Sequence, residues 1–197
     1  MTDLLLASTS PYRRQLLSRL GLPFTSVAAP VDETVLQRNV RDPELLARAL
    51  ARSKAGAVAE NRPQAIVIGA DQVCSLGDEV LGKPGTTAAA ILQLQQLQGR
   101  AHRLLTAVAV QRGDQLREFL DVTTLQMRRL DDAEIRRYVD LDQPLDCAGA
   151  YKIERAGIAL FDRIDSSDHT AIIGLPLLQL AAVLRQFGLP CPGAAPG

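Results

Sequence analysis

Hydrophobic positions along this chain fall into two kinds of segment. Short apolar runs bounded by Gly, Pro or polar turns read as buried strands, and longer stretches with apolar residues three and four apart read as helices. Leu4-Leu5-Leu6 is the first such run. Ser10 then reads as a helix N-cap and Pro11 as the first helical residue, where a missing N–H costs nothing. Leu16, Leu17 and Leu20 give that helix an apolar face, and Gly21 stops it. Residues 24–28 make a short second strand, and Val31-Asp32-Glu33-Thr34 places two carboxylates in the loop beyond it. Asp42 caps a long helix that opens at Pro43, runs to about residue 61 and aligns Leu46, Ala49, Leu50 and Ala57. Residues 65–70 form a nearly unbroken, β-branched strand that ends in Asp71-Gln72.

The second half continues the alternation. Residues 73–81 read as a hairpin around Gly77-Asp78, and Gly82-Lys83-Pro84 as a rigid turn holding a lysine. Thr86 or Thr87 caps a helix that reaches Gln98, with Gly99 past its end. Residues 102–111 and 116–128 alternate as two long strands joined at Arg112-Gly113-Asp114. Asp131 opens a short helix over 133–139, residues 144–149 are loop, and 157–164 (GIALFDRI) read as a strand. A polar turn follows at Ser166-Ser167-Asp168, and Gly174-Leu175-Pro176 starts the last helix, 177–187. No internal repeat or linker interrupts the pattern, so residues 1–190 are expected to form one domain and 191–197 a disordered tail.

Composition narrows the class. The chain has 197 residues, 47% hydrophobic and 22% charged, enough for an ordinary core. Its zero formal net charge and 4% aromatic content argue against a broad nucleic-acid surface or a base-stacking platform. No apolar run approaches a membrane span, and Asp3 stands where a signal peptide would carry positive charge. Cys74, Cys147 and Cys191 are widely spaced and lack a CxxC, which fits a reduced, cytoplasmic protein. Two histidines are too few for a zinc cluster, and His102 reads as structural.

The chemistry begins at the first helix. Its unsatisfied N–H groups attract anions, Ser8 and Thr9 add hydroxyls, and Arg13 and Arg14 stand where a cation opposes the helix dipole. That conflict is resolved if a phosphate chain binds both arginines; the alternative is a solvated surface pair. Lys54, amid Ala and Ser in the long helix, would ordinarily be solvated. Asp71, at the end of a buried strand, sits where α/β folds often place an active-site carboxylate; otherwise it caps a loop. Together Arg13, Arg14, Lys54 and Lys83, the hydroxyl turn and the carboxylates of Glu33 and Asp71 suit a nucleoside triphosphate with a divalent metal.

The order of motifs resembles the Maf family of nucleoside triphosphate pyrophosphatases over about residues 4–184. The matching pieces are LASTSPYRR (6–14), VDE (31–33), ARSKA (51–55), IGADQV (68–73), LGKP (81–84), H-x-x-x-T (102–106), AGAYKIE (148–154) and GLPL (174–177). The resemblance implies a Maf- and ITPase-like α/β fold: an elongated mixed sheet with flanking helices and two lobes around a central cleft. It implies a homodimer and cleavage between the α- and β-phosphates with Mg2+ or Mn2+. By the same resemblance Asp71 is the catalytic proton acceptor. Ser8, Arg13, Arg14, Lys54 and Lys83 bind phosphates, and Glu33 joins Asp71 at the metal.

Members acting on dTTP and UTP carry Arg, Thr and Gln where this chain has Tyr12, Gln72 and Glu154. An aromatic, a Gln and a Glu, with PLDCAG at 144–149, resemble the 7-methyl-GTP subgroup. N7-methylguanine is cationic, so an aromatic face can stack on it and a carboxylate can accept from its N1–H and amine. The alternative is that Tyr12 and Glu154 are ordinary surface residues. Tyr12 stands where Trp is more usual, and Ser166 replaces a common glycine. The implied activity is hydrolysis of 7-methyl-GTP to 7-methyl-GMP and diphosphate, a house-cleaning of modified nucleotides. The alternatives are a dTTP/UTP pyrophosphatase or a nucleotide-binding regulator of septum formation.

Overall fold

Alternate side chains of one four-residue strand are buried in opposite directions. In β1 (Leu4–Ala7), Leu4 and Leu6 join one hydrophobic cluster while Leu5 and Ala7 join another. The period of two sends successive side chains to opposite faces, so an unbroken apolar run requires cover on both. In this computed structural model, which describes residues 3–193, that cover comes from helices on either side. α1 (Pro11–Ser18) and α7 (Leu177–Gln186) supply Leu16, Leu17, Leu177, Leu180 and Leu184 to the Leu4/Leu6 face. α3 (Pro43–Ala59) supplies Val58 and Ala59 to the other. Each fully buried Leu or Ile here contributes about 1.5–3 kcal/mol.

The chain divides into two compact units, the first comprising residues up to Asp71, Thr106–Asp121 and those from Asp168 onward. In it β1 pairs in parallel with β2 (Thr25–Val27) and with β3 (Ile66–Leu76), in the register Leu5↔Thr25 and Leu5↔Val67. Ser10 caps α1 and Asp42 caps α3 through their side chains, as the sequence predicts. α2 (Glu33–Asn39) was not predicted: Asp32 is its N-cap, so Glu33 lies in a helical first turn instead of a loop. The short α6 (His169–Ile173) follows the polar turn in a stretch to which the pattern assigns no element; Asp168 caps it. Both helices are brief and gain little from intrinsic propensity, so the caps and tertiary contacts decide them.

The second unit comprises Gln72–Leu105 and Val122–Ser167. β3 does not stop at Asp71 but runs on to Leu76 and pairs antiparallel with β4 (Glu79–Leu81) through the Gly77-Asp78 turn. Asp71 is therefore inside a strand, not at its end. The strand continues because residues 74–76 gain ladder partners from the hairpin. α4 (Thr87–Leu97) packs against α5 (Asp132–Asp142), which has a full capping box from Asp131 and Glu134. The expected strand over 157–164 is shorter: Ala156–Leu160 is a 3-10 turn and β7 is Phe161–Asp165. Gly157 sets this turn, because its N–H donates to the Lys152 carbonyl and a Cβ there would lie 2.4 Å from that oxygen.

With β5 (Ala101–Arg112) and β6 (Gln115–Met127) the strands form a seven-stranded mixed sheet in the order β2-β1-β3-β5-β6-β7, with β4 on β3. Of the tail read as disordered from residue 191, residues 191–193 are placed. Cys191 packs on the first unit's core and the Gly193 N–H donates to the Leu20 carbonyl at 2.8 Å. Residues 194–197 lie outside the described residues. No described helix is long and apolar enough to cross a membrane.

Candidate active site

Three elements of the first unit converge on one ammonium group. Lys54 of α3 places its Nζ 2.6 Å from Asp71 Oδ1 of β3 and 2.8 Å from Glu33 Oε1 at the start of α2. Lys54 is only 9% exposed and Asp71 8%, so Lys54 is not the solvated side chain that its Ala and Ser neighbours in the helix suggest. The convergence depends on a glycine. Gly69 lies two residues before Asp71, on the same face of β3, and a Cβ there would sit 2.3 Å from the Ala51 carbonyl and 2.5 Å from the Ala55 nitrogen. Only a residue without a side chain lets α3 approach the strand closely enough for Lys54 to meet Asp71. The facing stripe of α3 is itself small: Ala47, Ala51 and Ala55 are buried. A lone Gly in a β-branched run is the signal in the sequence for this contact.

Arg13 adds a second cation to the cluster. Burial pulls its pKa down from the ordinary arginine value, while the negative charges of Asp71 and Glu33 push it back up. Its Nε–H donates to the Gly174 carbonyl at 3.0 Å, which holds the guanidinium plane and leaves the terminal nitrogens for another partner. Beside it, Ser8 is buried and its Oγ accepts the Ser10 N–H at 3.2 Å. The Ser10 side chain accepts the Arg13 N–H at the helix start, and the first turn of α1 carries no acid. Arg14, one residue on, is exposed.

The remaining predicted residues are distributed by unit. Tyr12, half-buried, is in the first unit; Gln72, half-buried, Lys83, exposed in the turn after β4, and Glu154, exposed, are in the second. Near Glu154 in the chain, the Lys152 N–H donates to the Tyr138 hydroxyl at 2.8 Å and Lys152 Nζ reaches the Gln143 carbonyl at 3.2 Å and Asp146 at 3.3 Å. These contacts fasten the segment that carries Glu154. His102 is buried, as a structural histidine should be, with Nε2 2.9 Å from the Tyr151 hydroxyl and Phe161 alongside. Burial lowers its pKa to about 4, against the pull of the Arg100 carbonyl, so it is neutral near pH 7. The cysteines are free thiols, and burial pushes Cys74 up to about 12, away from thiolate chemistry.

The formal charges of Lys54, Arg13, Asp71 and Glu33 cancel. Such a cluster is charge-balanced by itself, yet it can turn two cations toward an anion and two carboxylates toward a metal ion or a water. Hard carboxylate oxygens on one cation position suit Mg2+ or Mn2+, which commonly take one or two protein carboxylates and complete their shell with phosphates and water. Among the described residues no group of three or more His, Cys, Asp or Glu could hold a metal ion.

Fold and cluster together define an α/β protein with a paired cation–carboxylate centre on a parallel strand. In fold the chain is similar to a HAM1 protein from Coxiella burnetii, with a TM-score of 0.51 at 16% identity, covering 94% of this chain and 100% of that one. Residues 3–187 match the Maf-like protein family, and the chain belongs to that family. A relative from Xanthomonas oryzae pv. oryzae (strain MAFF 311018), named 7-methyl-GTP pyrophosphatase, is 50% identical over 192 residues, 98% of this chain and 100% of that protein. Proteins of the same name from Bdellovibrio bacteriovorus and Aromatoleum aromaticum are 45% identical over 189 residues and 50% over 193. These alignments cover 95% and 97% of this chain, respectively, and 98% of each relative.

Proposed function

We propose that this protein is a nucleoside triphosphate pyrophosphatase that hydrolyses 7-methyl-GTP to 7-methyl-GMP and diphosphate. The observation that carries the reading is the buried Lys54 ammonium held between Asp71 and Glu33 with Arg13 beside it. The full-length relatives named 7-methyl-GTP pyrophosphatase support the choice of substrate.

In this reading the triphosphate lies against the start of α1, where Ser8, the helix N–H groups, Arg13 and Arg14 bind phosphate oxygens. Lys54 turns from the carboxylates to the phosphates, and Lys83 adds a further charge. Glu33 and Asp71 would hold the divalent metal, which when bound neutralises phosphate charge and polarises water. Asp71 takes a proton from the attacking water. The water oxygen bonds to the α-phosphorus, the bond from that phosphorus to the bridging oxygen breaks, and diphosphate leaves with that oxygen. Tyr12 stacks on the cationic methylated base, and Glu154 accepts from its N1–H and amine, with Gln72 completing the selection. A homodimer in the cytoplasm, acting on modified nucleotides and not on nucleic acid, completes the proposal.

Diphosphate release from 7-methyl-GTP, GTP, dTTP and UTP, compared with magnesium or manganese present, tests it. Clear preference for 7-methyl-GTP is expected. Preference for dTTP or UTP would retain the reaction and overturn the base assignment, and no release from any of them would overturn the enzyme reading.

A further inference from the structure

Asp168 belongs to a turn that the sequence pattern treats as connecting polar residues, yet it is only 4% exposed. Its Oδ1 accepts the Thr170 N–H at 2.9 Å and the Thr170 hydroxyl at 2.6 Å, and its Oδ2 accepts the Leu178 N–H at 2.8 Å. The Thr170 Oγ1 in turn accepts the Leu177 N–H at 2.9 Å. One carboxylate and one hydroxyl thus cap α6 and the start of α7, whose own N-cap residue is Pro176 and makes no side-chain cap bond. Burying a carboxylate carries a desolvation cost that a neutral cap at an exposed helix end avoids.

What the clamp encloses gives it a purpose beyond capping. Between α6 and α7 runs Gly174-Leu175-Pro176. Gly174, at φ +119°, donates its N–H to the Ala171 carbonyl at 2.9 Å, and its own carbonyl accepts Arg13 Nε–H at 3.0 Å. Thr106 Oγ1 holds the Ala171 carbonyl from β5 at 3.0 Å. The direction of the Gly174 carbonyl is therefore set by the corner between the two helices, and Asp168 ties both sides of that corner together. With its Nε–H committed, the Arg13 guanidinium has its plane fixed, and its other donors are aimed by the corner.

We propose that Asp168 is a positioning residue for Arg13: it fixes the Gly174 carbonyl and thereby orients the guanidinium that receives the substrate's phosphates. The inference rests on the triphosphate reading above for its consequence, but not for its geometry. Asp168→Asn leaves one acceptor oxygen and turns the other position into an N–H2 group, so a donor faces a donor at Thr170 or Leu178. Asp168→Ser keeps a cap for α6 but cannot span to Leu178, and it replaces the Asn variant if that one does not fold.

Hydrogen exchange of the Arg13 Nε–H, followed by 15N NMR on the ligand-free protein, tests the geometry without any substrate. Slow exchange in the parent and exchange faster by about tenfold or more in the variant are expected, as for the loss of a protecting hydrogen bond. Equal exchange in the two would overturn the proposal. Steady-state hydrolysis of 7-methyl-GTP tests the consequence. The variant should raise KM roughly tenfold, the effect of one weakened charge-assisted hydrogen bond, with kcat changed much less. In an Arg13→Ala background the same substitution should raise KM no further. An equal rise in both backgrounds, or a fall in kcat with KM unchanged, would mark Asp168 as merely structural. If the parent protein hydrolyses no triphosphate, the functional reading fails, and the exchange measurement still decides whether Asp168 orients Arg13.

Discussion

Gly69→Ala is the substitution that most directly probes how this site is assembled. The added methyl would lie 2.3 Å from the Ala51 carbonyl, 2.5 Å from the Ala55 nitrogen and 2.9 Å from the Ala55 Cβ. All three neighbours belong to the α3 backbone or to its shortest side chain, so no flexible group can step aside. To restore contacts of ordinary length α3 must retreat from β3 by about 1 Å, a strain typical of core overpacking at about 1–3 kcal/mol. For a protein of this size that lowers Tm by about 2–12 °C. The same retreat carries Lys54 away from Asp71, whose 2.6 Å contact then stretches past hydrogen-bonding length. A misplacement of about 1 Å at a reacting centre can cost on the order of a hundredfold in rate. Calorimetry and diphosphate release on the same preparation measure both effects. A variant as stable and as active as the parent would refute the argument that Gly69 seats Lys54 on Asp71. A variant that loses stability but keeps full turnover would refute the link from seating to catalysis.

Other changes have simpler readouts. Asp71→Asn should lower turnover by about 10²–10⁴-fold while nucleotide binding persists, as expected for removal of a general base; full turnover in a stopped assay would remove that role. Glu154→Gln should reduce discrimination between 7-methyl-GTP and GTP by about three- to tenfold, since a charged acceptor becomes neutral; an unchanged ratio of kcat/KM values would take Glu154 out of the specificity argument. His102 has a folded-state pKa of about 4 against an ordinary 6.5, so the folded protein binds its proton less readily than the unfolded chain. Its contribution is complete above about pH 6.5 and is lost as pH falls toward 4, about 3 kcal/mol at most. His102→Gln should therefore flatten the fall in Tm between pH 6.5 and 4, and an unchanged slope would exclude His102 as its source.

Local chemistry decided much of what could be read before folding. The N-caps at Ser10, Asp42 and Asp131, the prolines opening α1 and α3, the turns at Gly77-Asp78 and Gly113-Asp114, and the buried runs of β1 and β3 act over a few residues, so their signals lie in the sequence itself. The order of short motifs along the chain likewise pointed to the Maf-like family, whose model matches residues 3–187. Tertiary contact decided the rest, because it depends on residues far apart in the chain. The continuation of β3 beyond Asp71 depends on pairing with β4, and the 3-10 turn at Gly157 on close approach to Lys152. Helix α2 and the corner of α6 are too short to be stabilised without their caps and packing. The state of Lys54 shows the division most clearly. Its neighbours in sequence describe an ordinary solvated lysine on an alanine-rich helix. Its neighbours in space are Asp71, which Gly69 on the same strand lets α3 approach, and Glu33 at the start of α2, and burial between two carboxylates is a property no local pattern encodes.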